Sequence, residues 1–160
     1  MTQKVRRLFA GFAPKHYKLT LEPSPDTLKL TGSVIIEGQK TGRPSQRLTF
    51  HYNDLKVTSA RIIKHDKKGD REITPSRIYH HKKLDEVRLH SDEMLYPGQY
   101  TVHLDFTGKV QSGMQGVYYS DYKQDGEQKR LVSTQLESHF ARQAFPCIDE
   151  PEAKATYSLT

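Results

Sequence analysis

The fold class is decided by residues 98–106, which read Gly98-Gln99-Tyr100-Thr101-Val102-His103-Leu104-Asp105-Phe106. Every second residue from Tyr100 to Phe106 is apolar, and the residues between them are polar or charged. Because successive side chains of a β-strand point to opposite faces, this spacing predicts a strand with one buried and one exposed face. Tyr96-Pro97-Gly98 is typical of a turn, so the strand is expected to start directly after it.

The same alternation recurs along most of the chain, and no window shows a sustained helical period. Further strands are predicted at residues 17–21, 28–36, 48–52, 57–63, 73–79, 87–89 and 130–136. Gly32 predicts a bend or bulge inside the second of these, while Lys67-Lys68-Gly69-Asp70 and Asp125-Gly126 predict hairpin turns. About eight to ten short strands separated by turns predict an all-β fold, a saddle-like sandwich of mostly antiparallel strands, rather than an α/β fold.

Composition and charge argue against several classes of protein. The chain has 160 residues, a net charge of +6 and a mean hydropathy of −0.78. Its basic residues are scattered rather than gathered on one helix, so no nucleic-acid partner is expected. No segment approaches the ~20 apolar residues that span a bilayer, so no membrane partner is expected. With one cysteine and no apolar leader, the sequence predicts a cytoplasmic protein without an intrachain disulfide.

The end of the sequence predicts an incomplete fold. Residues 157–160 read Tyr-Ser-Leu-Thr, the start of another alternating strand. A chain of this length buries only a modest core. We therefore expect a domain truncated before its final strands, in which the strand beginning near Thr156 lacks a partner segment.

A polar pair lies at the end of the strand predicted at residues 130–136. The alternation predicts that Val132, Thr134 and Leu136 face the core. Gln135 and Glu137 then project together from the opposite face, which places an amide and a carboxylate side by side. Composition alone favours a solvated surface carboxylate, since most glutamates are exposed.

Several motifs occur at fixed spacing along the chain. They are Pro14-Lys15-His16-Tyr17, Leu95-Tyr96-Pro97-Gly98, Gly116-Val117-Tyr118-Tyr119-Ser120, Thr134-Gln135-Leu136-Glu137 and the run from Ala141 to Pro151. In this order they resemble the N-terminal domain of the zinc aminopeptidase N family, over almost the whole chain. Leu136 stands where an aromatic residue is common, and Gln143 replaces an arginine. The resemblance implies that residues 1–160 form an N-terminal β-domain that caps a catalytic domain absent from this chain.

The resemblance also implies roles for two residues. Glu137 matches the glutamate that binds the free α-amino group of a peptide substrate, and Gln135 matches a glutamine that lines the pocket for the first side chain. A carboxylate suits an ammonium because charge-assisted hydrogen bonds are short and strong. The implied partners are the N-terminus of a peptide and the catalytic domain of the same polypeptide. The implied function is removal of N-terminal residues from peptides by a zinc metallo-aminopeptidase.

The catalytic motif of such an enzyme is missing from the sequence. It needs two histidines one helical turn apart with a glutamate between them, and no His-Glu-x-x-His match occurs. We therefore expect zinc in the full-length enzyme but no metal bound by this chain, no catalytic residue in it and no activity of the chain alone. A freestanding β-sandwich that binds peptide or carbohydrate is the alternative function.

The other charged or reactive residues near this site are expected to be structural. Arg142, Asp149 and Glu150 are predicted to hold their loop against the sheet, because partly buried charges usually need partners. Cys147 is predicted to be an inert buried thiol, since no base is identifiable beside it.

Overall fold

The computed structural model describes residues 7–67 and 69–160, which form eleven strands, one short α-helix and a 3₁₀ helix at Lys82–Leu84. The elements are β1 (Phe12–Pro23), β2 (Lys29–Lys40), β3 (Ser45–His51), β4 (Lys56–Asp66), β5 (Gly69–Ile73), β6 (Arg77–His81), β7 (Glu86–Leu95), β8 (Gly98–Lys109), β9 (Gly116–Gln124), β10 (Glu127–Gln135), α1 (Ala141–Ala144) and β11 (Thr156–Leu159). They build a six-stranded, a three-stranded and a two-stranded sheet. The predicted all-β, mostly antiparallel sandwich is therefore confirmed.

The six-stranded sheet has the order β11-β1-β2-β8-β4-β5, with β8 in its interior. Tyr100, Val102, Leu104 and Phe106 of β8 are each at most 1% exposed, as their alternation predicts. The three-stranded sheet has the order β3-β7-β6, and its buried side chains belong to the same core cluster as those of β8. Phe12 of β1 meets Phe50 of β3 edge-on, with ring centroids 5.3 Å apart, so the main core lies between these two sheets.

Gly32 has a different role from the predicted bend. The register of β2 runs without a shift through Gly32, which lies opposite Leu21 on one side and Phe106 on the other. A Cβ atom at Gly32 would lie 2.6 Å from Phe106 Cζ, so the glycine makes room for the aromatic ring. The predicted bulge is therefore wrong, and close packing explains the residue instead.

Two predictions about the region from β4 to β6 had different outcomes. The hairpin between β4 and β5 is confirmed, because Asp66 pairs with Gly69; Lys68 of the predicted turn lies outside the described residues. The single strand predicted at residues 73–79 is wrong, since β5 ends at Ile73 and β6 begins at Arg77. Pro75 lies between them and has no N–H to donate to a ladder.

The β9–β10 hairpin forms the two-stranded sheet. Gln124 pairs with Glu127 across a two-residue turn, as predicted from Asp125-Gly126. Both turn residues have positive φ, 53° and 83°, which matches the twist of a tight hairpin.

The last strand has a partner, contrary to expectation. β11 pairs in parallel with β1, from His16 opposite Thr156 to Leu19 opposite Leu159. No sequence pattern within β11 specifies this pairing, because the two strands are more than 130 residues apart.

Within the described ranges, no helix is long and apolar enough to cross a membrane.

Candidate functional site

The predicted amide and carboxylate lie together where β10 ends. Gln135 is the last residue of the strand and pairs with Gly116 of β9. Glu137 follows in the next turn, and its backbone N–H donates to Gln135 Oε1 at 3.1 Å. Both residues are exposed. The two residues therefore do not share one strand face as predicted, because Glu137 lies in the turn after β10 and meets the Gln135 amide through its backbone.

The predicted inner face of β10 is wrong in part. Val132 is half-buried and packs against the core, but Thr134 is exposed and Leu136 is 36% exposed. The reason is that β10 belongs to a two-stranded sheet. Its single strand neighbour in the described part of the chain is β9. Alternation predicted a strand correctly, but burial requires a second layer.

Gly116 fixes the hairpin against α1. Its φ is +62°, and a Cβ atom at this position would lie 2.7 Å from Gln143 Cβ. Only glycine allows both the backbone conformation and this close approach without strain. Since Gly116 pairs with Gln135, the contact also sets the distance between α1 and the end of β10. The sequence motif contained Gly116, but nothing in it indicated the contact with Gln143.

The segment after α1 is held by charged groups, as predicted for Arg142, Asp149 and Glu150. Arg142 Nε donates to Asp149 Oδ2 at 2.9 Å, and the two side chains are 16% and 10% exposed. Glu150 accepts hydrogen bonds from the backbone N–H groups of Leu8 and Phe9, at 2.7 and 3.3 Å. Asp149 thus joins the segment after α1 to α1 itself, and Glu150 joins it to the backbone of Leu8 and Phe9.

His51 completes this network and was missed by sequence reasoning. Its Nδ1 accepts the backbone N–H of Asp149 at 3.1 Å, and its Nε2 lies 3.9 Å from Glu150 Oε1. The backbone of His51 also exchanges two hydrogen bonds with Cys147, at 2.7 and 3.1 Å. Burial, followed by the nearby Arg142 guanidinium, lowers the pKa of His51. Its parity in β3 gave no signal, because it is opposite to that of the apolar Leu48 and Phe50.

Buried aromatic contacts support the same segment. The Tyr17 hydroxyl accepts the backbone N–H of Ile148 at 3.1 Å, and the Tyr17 ring stacks on Tyr157 at 5.0 Å. Burial raises the pKa of Tyr17. Cys147 is 2% exposed, and burial raises the pKa of its thiol well above the ordinary value. The predicted burial of the thiol is confirmed, and its raised pKa disfavours the thiolate, which is the good nucleophile.

The described ranges, residues 7–67 and 69–160, contain several clefts. No group of three or more His, Cys, Asp or Glu side chains there is placed to hold a metal ion. A cleft of about 640 Å³ lies near Tyr52 and Asp85, and a cavity of about 290 Å³ lies near Lys40. Neither is lined by Gln135 or Glu137, which are exposed.

Known proteins match nearly the whole chain. The Peptidase M1 N-terminal domain family matches residues 13–160. Aminopeptidase N of Lactococcus lactis subsp. lactis is 34% identical over 161 residues, which covers 100% of this chain and 17% of that protein. Glutamyl aminopeptidase of Homo sapiens is 31% identical over 151 residues, covering 92% of this chain and 16% of that protein. Aminopeptidase M1-A of Oryza sativa subsp. japonica is 32% identical over 151 residues, covering 94% and 17%.

The chain thus spans about a sixth of the length of these relatives. The resemblance carried by the sequence motifs is confirmed, since the family match begins at Ala13 and continues to Thr160. On this evidence the chain belongs to the Peptidase M1 N-terminal domain family.

Proposed function

We propose that this chain is the N-terminal domain of a zinc-dependent aminopeptidase and that it binds the free amino terminus of the peptide substrate. The proposal is supported by the family match and by relatives that are named aminopeptidases. The proposed partners are a peptide N-terminus and a catalytic domain in the same polypeptide. No ligand set for zinc occurs among the described residues, so the metal is assigned to that other domain. Zinc in that domain supplies the activation of water and the polarisation of the peptide carbonyl.

The observation that carries the proposal is the open carboxylate of Glu137. It is exposed at the end of β10 and makes no ion pair with another described residue. A carboxylate without a cationic partner is available to pair with a substrate ammonium. The backbone of Glu137 is at the same time held by the Gln135 side chain, so the carboxylate is presented from an anchored position.

Gln135 is proposed to line the pocket for the first side chain of the peptide. Its amide oxygen accepts the Glu137 N–H, and its NH₂ group makes no hydrogen bond to another described residue and can donate to a ligand. The two residues together would fix the amine and the first side chain of a peptide. Fixing the amino terminus at a set position limits cleavage to the first peptide bond, because only that bond then lies within reach of the catalytic group.

Replacement of Glu137 by glutamine in the natural-length enzyme tests this role. Glu137→Gln keeps the shape but removes the charge, which should cost about 1.5–3 kcal/mol for a hydrogen bond to a charged group. This corresponds to a loss of about 10- to 150-fold in kcat/KM on a peptide with a free amino terminus. The measurement is steady-state hydrolysis of an aminoacyl-arylamide.

Glu127→Gln is the matched control. Glu127 is an exposed glutamate at the other end of β10, so it tests the same chemical change outside the site. It should leave kcat/KM unchanged, and neither variant should change the zinc content or the melting temperature. Wild-type kcat/KM for Glu137→Gln would refute the assignment. Hydrolysis by the purified 160-residue chain alone, abolished by a chelator, would refute its proposed lack of catalytic residues.

A further inference from the structure

A second polar site lies in the N-terminal third of the chain, between the start of β1 and the turn that joins β2 to β3. It is a cavity of about 290 Å³ that is open on one side and lined by residues 7–8, 10–12, 40–43, 45 and 47–49. This is about ten times the volume of one water molecule in the liquid. Lys40, Arg7, Arg43 and Arg47 line the cavity, and its lining includes neither aspartate nor glutamate. Every charged side chain in this lining is therefore cationic.

Lys40 is the most informative of these cations. It is the last residue of β2 and is only 3% exposed. Its ammonium has three donors, and one of them goes to the Arg43 backbone carbonyl at 2.9 Å. No carboxylate among residues 7–67 and 69–160 lies within 4 Å of it. A buried ammonium without a counter-charge is costly, and burial correspondingly lowers the pKa of Lys40.

The cavity walls are held in place by hydrogen bonds within the chain. The Thr41 hydroxyl donates to the Ala10 carbonyl at 2.9 Å, and the Thr41 N–H donates to the Gly11 carbonyl at 3.1 Å. Gly42 has a φ of +68°, a conformation that favours glycine and turns the chain so that the Arg43 carbonyl reaches Lys40. These contacts tie the turn to the start of β1, so the cations are presented by a preformed structure.

We propose that this cavity is a binding site for a phosphate-class oxyanion, held by the Lys40 ammonium with Arg7 and Arg43 as additional cations. A phosphate group carries up to two negative charges near pH 7 and several strong acceptors, so it can satisfy an ammonium and two guanidinium groups together. A carboxylate carries a single charge and satisfies fewer of these donors. The oxyanion supplies the counter-charge that Lys40 lacks and reduces repulsion among the cations.

The test measures binding of inorganic phosphate to the natural-length protein by calorimetry, with sodium chloride at equal ionic strength as the reference. Saturable binding of phosphate is expected. Lys40→Met keeps the length and the apolar stem of the side chain but removes the ammonium, so binding should weaken about 10-fold or more. Lys29→Met is the matched control, because Lys29 is an exposed lysine at the first position of the same strand. It should bind phosphate like the wild type.

Glycerol 3-phosphate and acetate distinguish the possible anions. Competition by glycerol 3-phosphate would assign the site to the phosphate group of a larger compound, while binding of phosphate alone would assign it to the free ion. Equal binding of acetate and phosphate would overturn the assignment to phosphate. The absence of saturable phosphate binding, or an equal loss in Lys40→Met and Lys29→Met, would overturn the site itself.

Arg43→Gln keeps the proposal testable if Lys40→Met fails to fold. Arg43 is exposed and supplies its carbonyl, not its side chain, to the internal hydrogen bond, so this variant should fold. It should weaken phosphate binding by about the same factor, since each guanidinium contributes a charge-assisted hydrogen bond. Unchanged binding in Arg43→Gln together with an unfolded Lys40→Met would count against the site.

Discussion

Strands β8 and β10 were both predicted from the sequence but lie in different surroundings. β8 is paired on both sides, with β2 and β4, and a second sheet covers its inner face. β10 is paired with β9 in a two-stranded sheet, and most of its side chains are exposed or half-buried. The comparison teaches that alternation specifies a strand, whereas the layer packed against it decides burial. Residues that must contact a ligand benefit from the less covered strand.

The largest expected difference in stability between β8 and the β9–β10 hairpin concerns the loss of an aromatic side chain. Phe106→Ala in β8 should lower the free energy of unfolding by about 3–5 kcal/mol, because it removes a fully buried ring and leaves a cavity. Tyr122→Ala in β9 should change it by less than about 0.5 kcal/mol, since Tyr122 is 44% exposed. Chemical denaturation measures both values. Equal losses at the two positions would contradict the contrast between the covered and the open strands.

A smaller effect is expected where the hairpin meets α1. Gly116→Ala should cost about 1–2 kcal/mol for an L-residue with positive φ. The contact with Gln143 should add about 1–3 kcal/mol of overpacking. Gly126→Ala in the hairpin turn is the control, because Gly126 also has positive φ but a Cβ there meets nothing within 4 Å.

Denaturation of the two glycine variants separates conformational strain from crowding. Gly116→Ala should lose more stability than Gly126→Ala, and adding Gln143→Gly should recover the part caused by the contact between Cβ atoms. If the two single variants are equally stable, the approach of α1 to β9 is less rigid than the geometry indicates.

The ion pair between Arg142 and Asp149 should contribute less to the free energy of unfolding than the Phe106 ring or the glycine at position 116. Arg142→Met should cost about 2 kcal/mol, between the values for exposed and for fully buried pairs. Arg61→Met is its control, because Arg61 and Glu72 form an exposed pair at 3.9 Å. That control should cost at most about 1 kcal/mol by the same denaturation measurement. A smaller loss for Arg142→Met than for Arg61→Met would show that burial does not strengthen this pair.

The smallest effect is expected from protonation of His51. Its pKa in the folded state is lowered, so the folded protein binds a proton less readily than the unfolded chain. Neutral His51 therefore stabilises the fold fully at pH values above about 6.5, the pKa of a histidine in the unfolded chain. This stabilisation is lost as the pH falls below that value, by at most about 1.4 kcal/mol per pH unit. Unfolding at pH 7.5 and 5.5 should show a steeper loss in the wild type than in His51→Asn. Identical pH dependence would mean that His51 is protonated equally in both states.

Much of the fold was predictable because its signals are local. The alternation in β8 predicts one buried face, and Asp125-Gly126 predicts a hairpin from its backbone preference alone. The proximity of Gln135 to Glu137 was also predictable, since they are two residues apart, but the turn that contains Glu137 was not. The role of Gly32 was not predictable from the sequence. A glycine suits a bulge and a close contact with an aromatic ring for the same reason, since it has no side chain.

The sequence by itself determined the strands, the hairpin turns, the membership of the family and the proximity of Gln135 to Glu137. The tertiary structure alone decided that Leu136 is exposed, that His51 is buried and that β11 pairs with β1. It also brought Glu150 to the backbone of Leu8, across 142 residues, and enclosed Lys40 among other cations. The physical reason is that backbone preferences act over a few residues, whereas burial and charge pairing depend on which distant segments pack together.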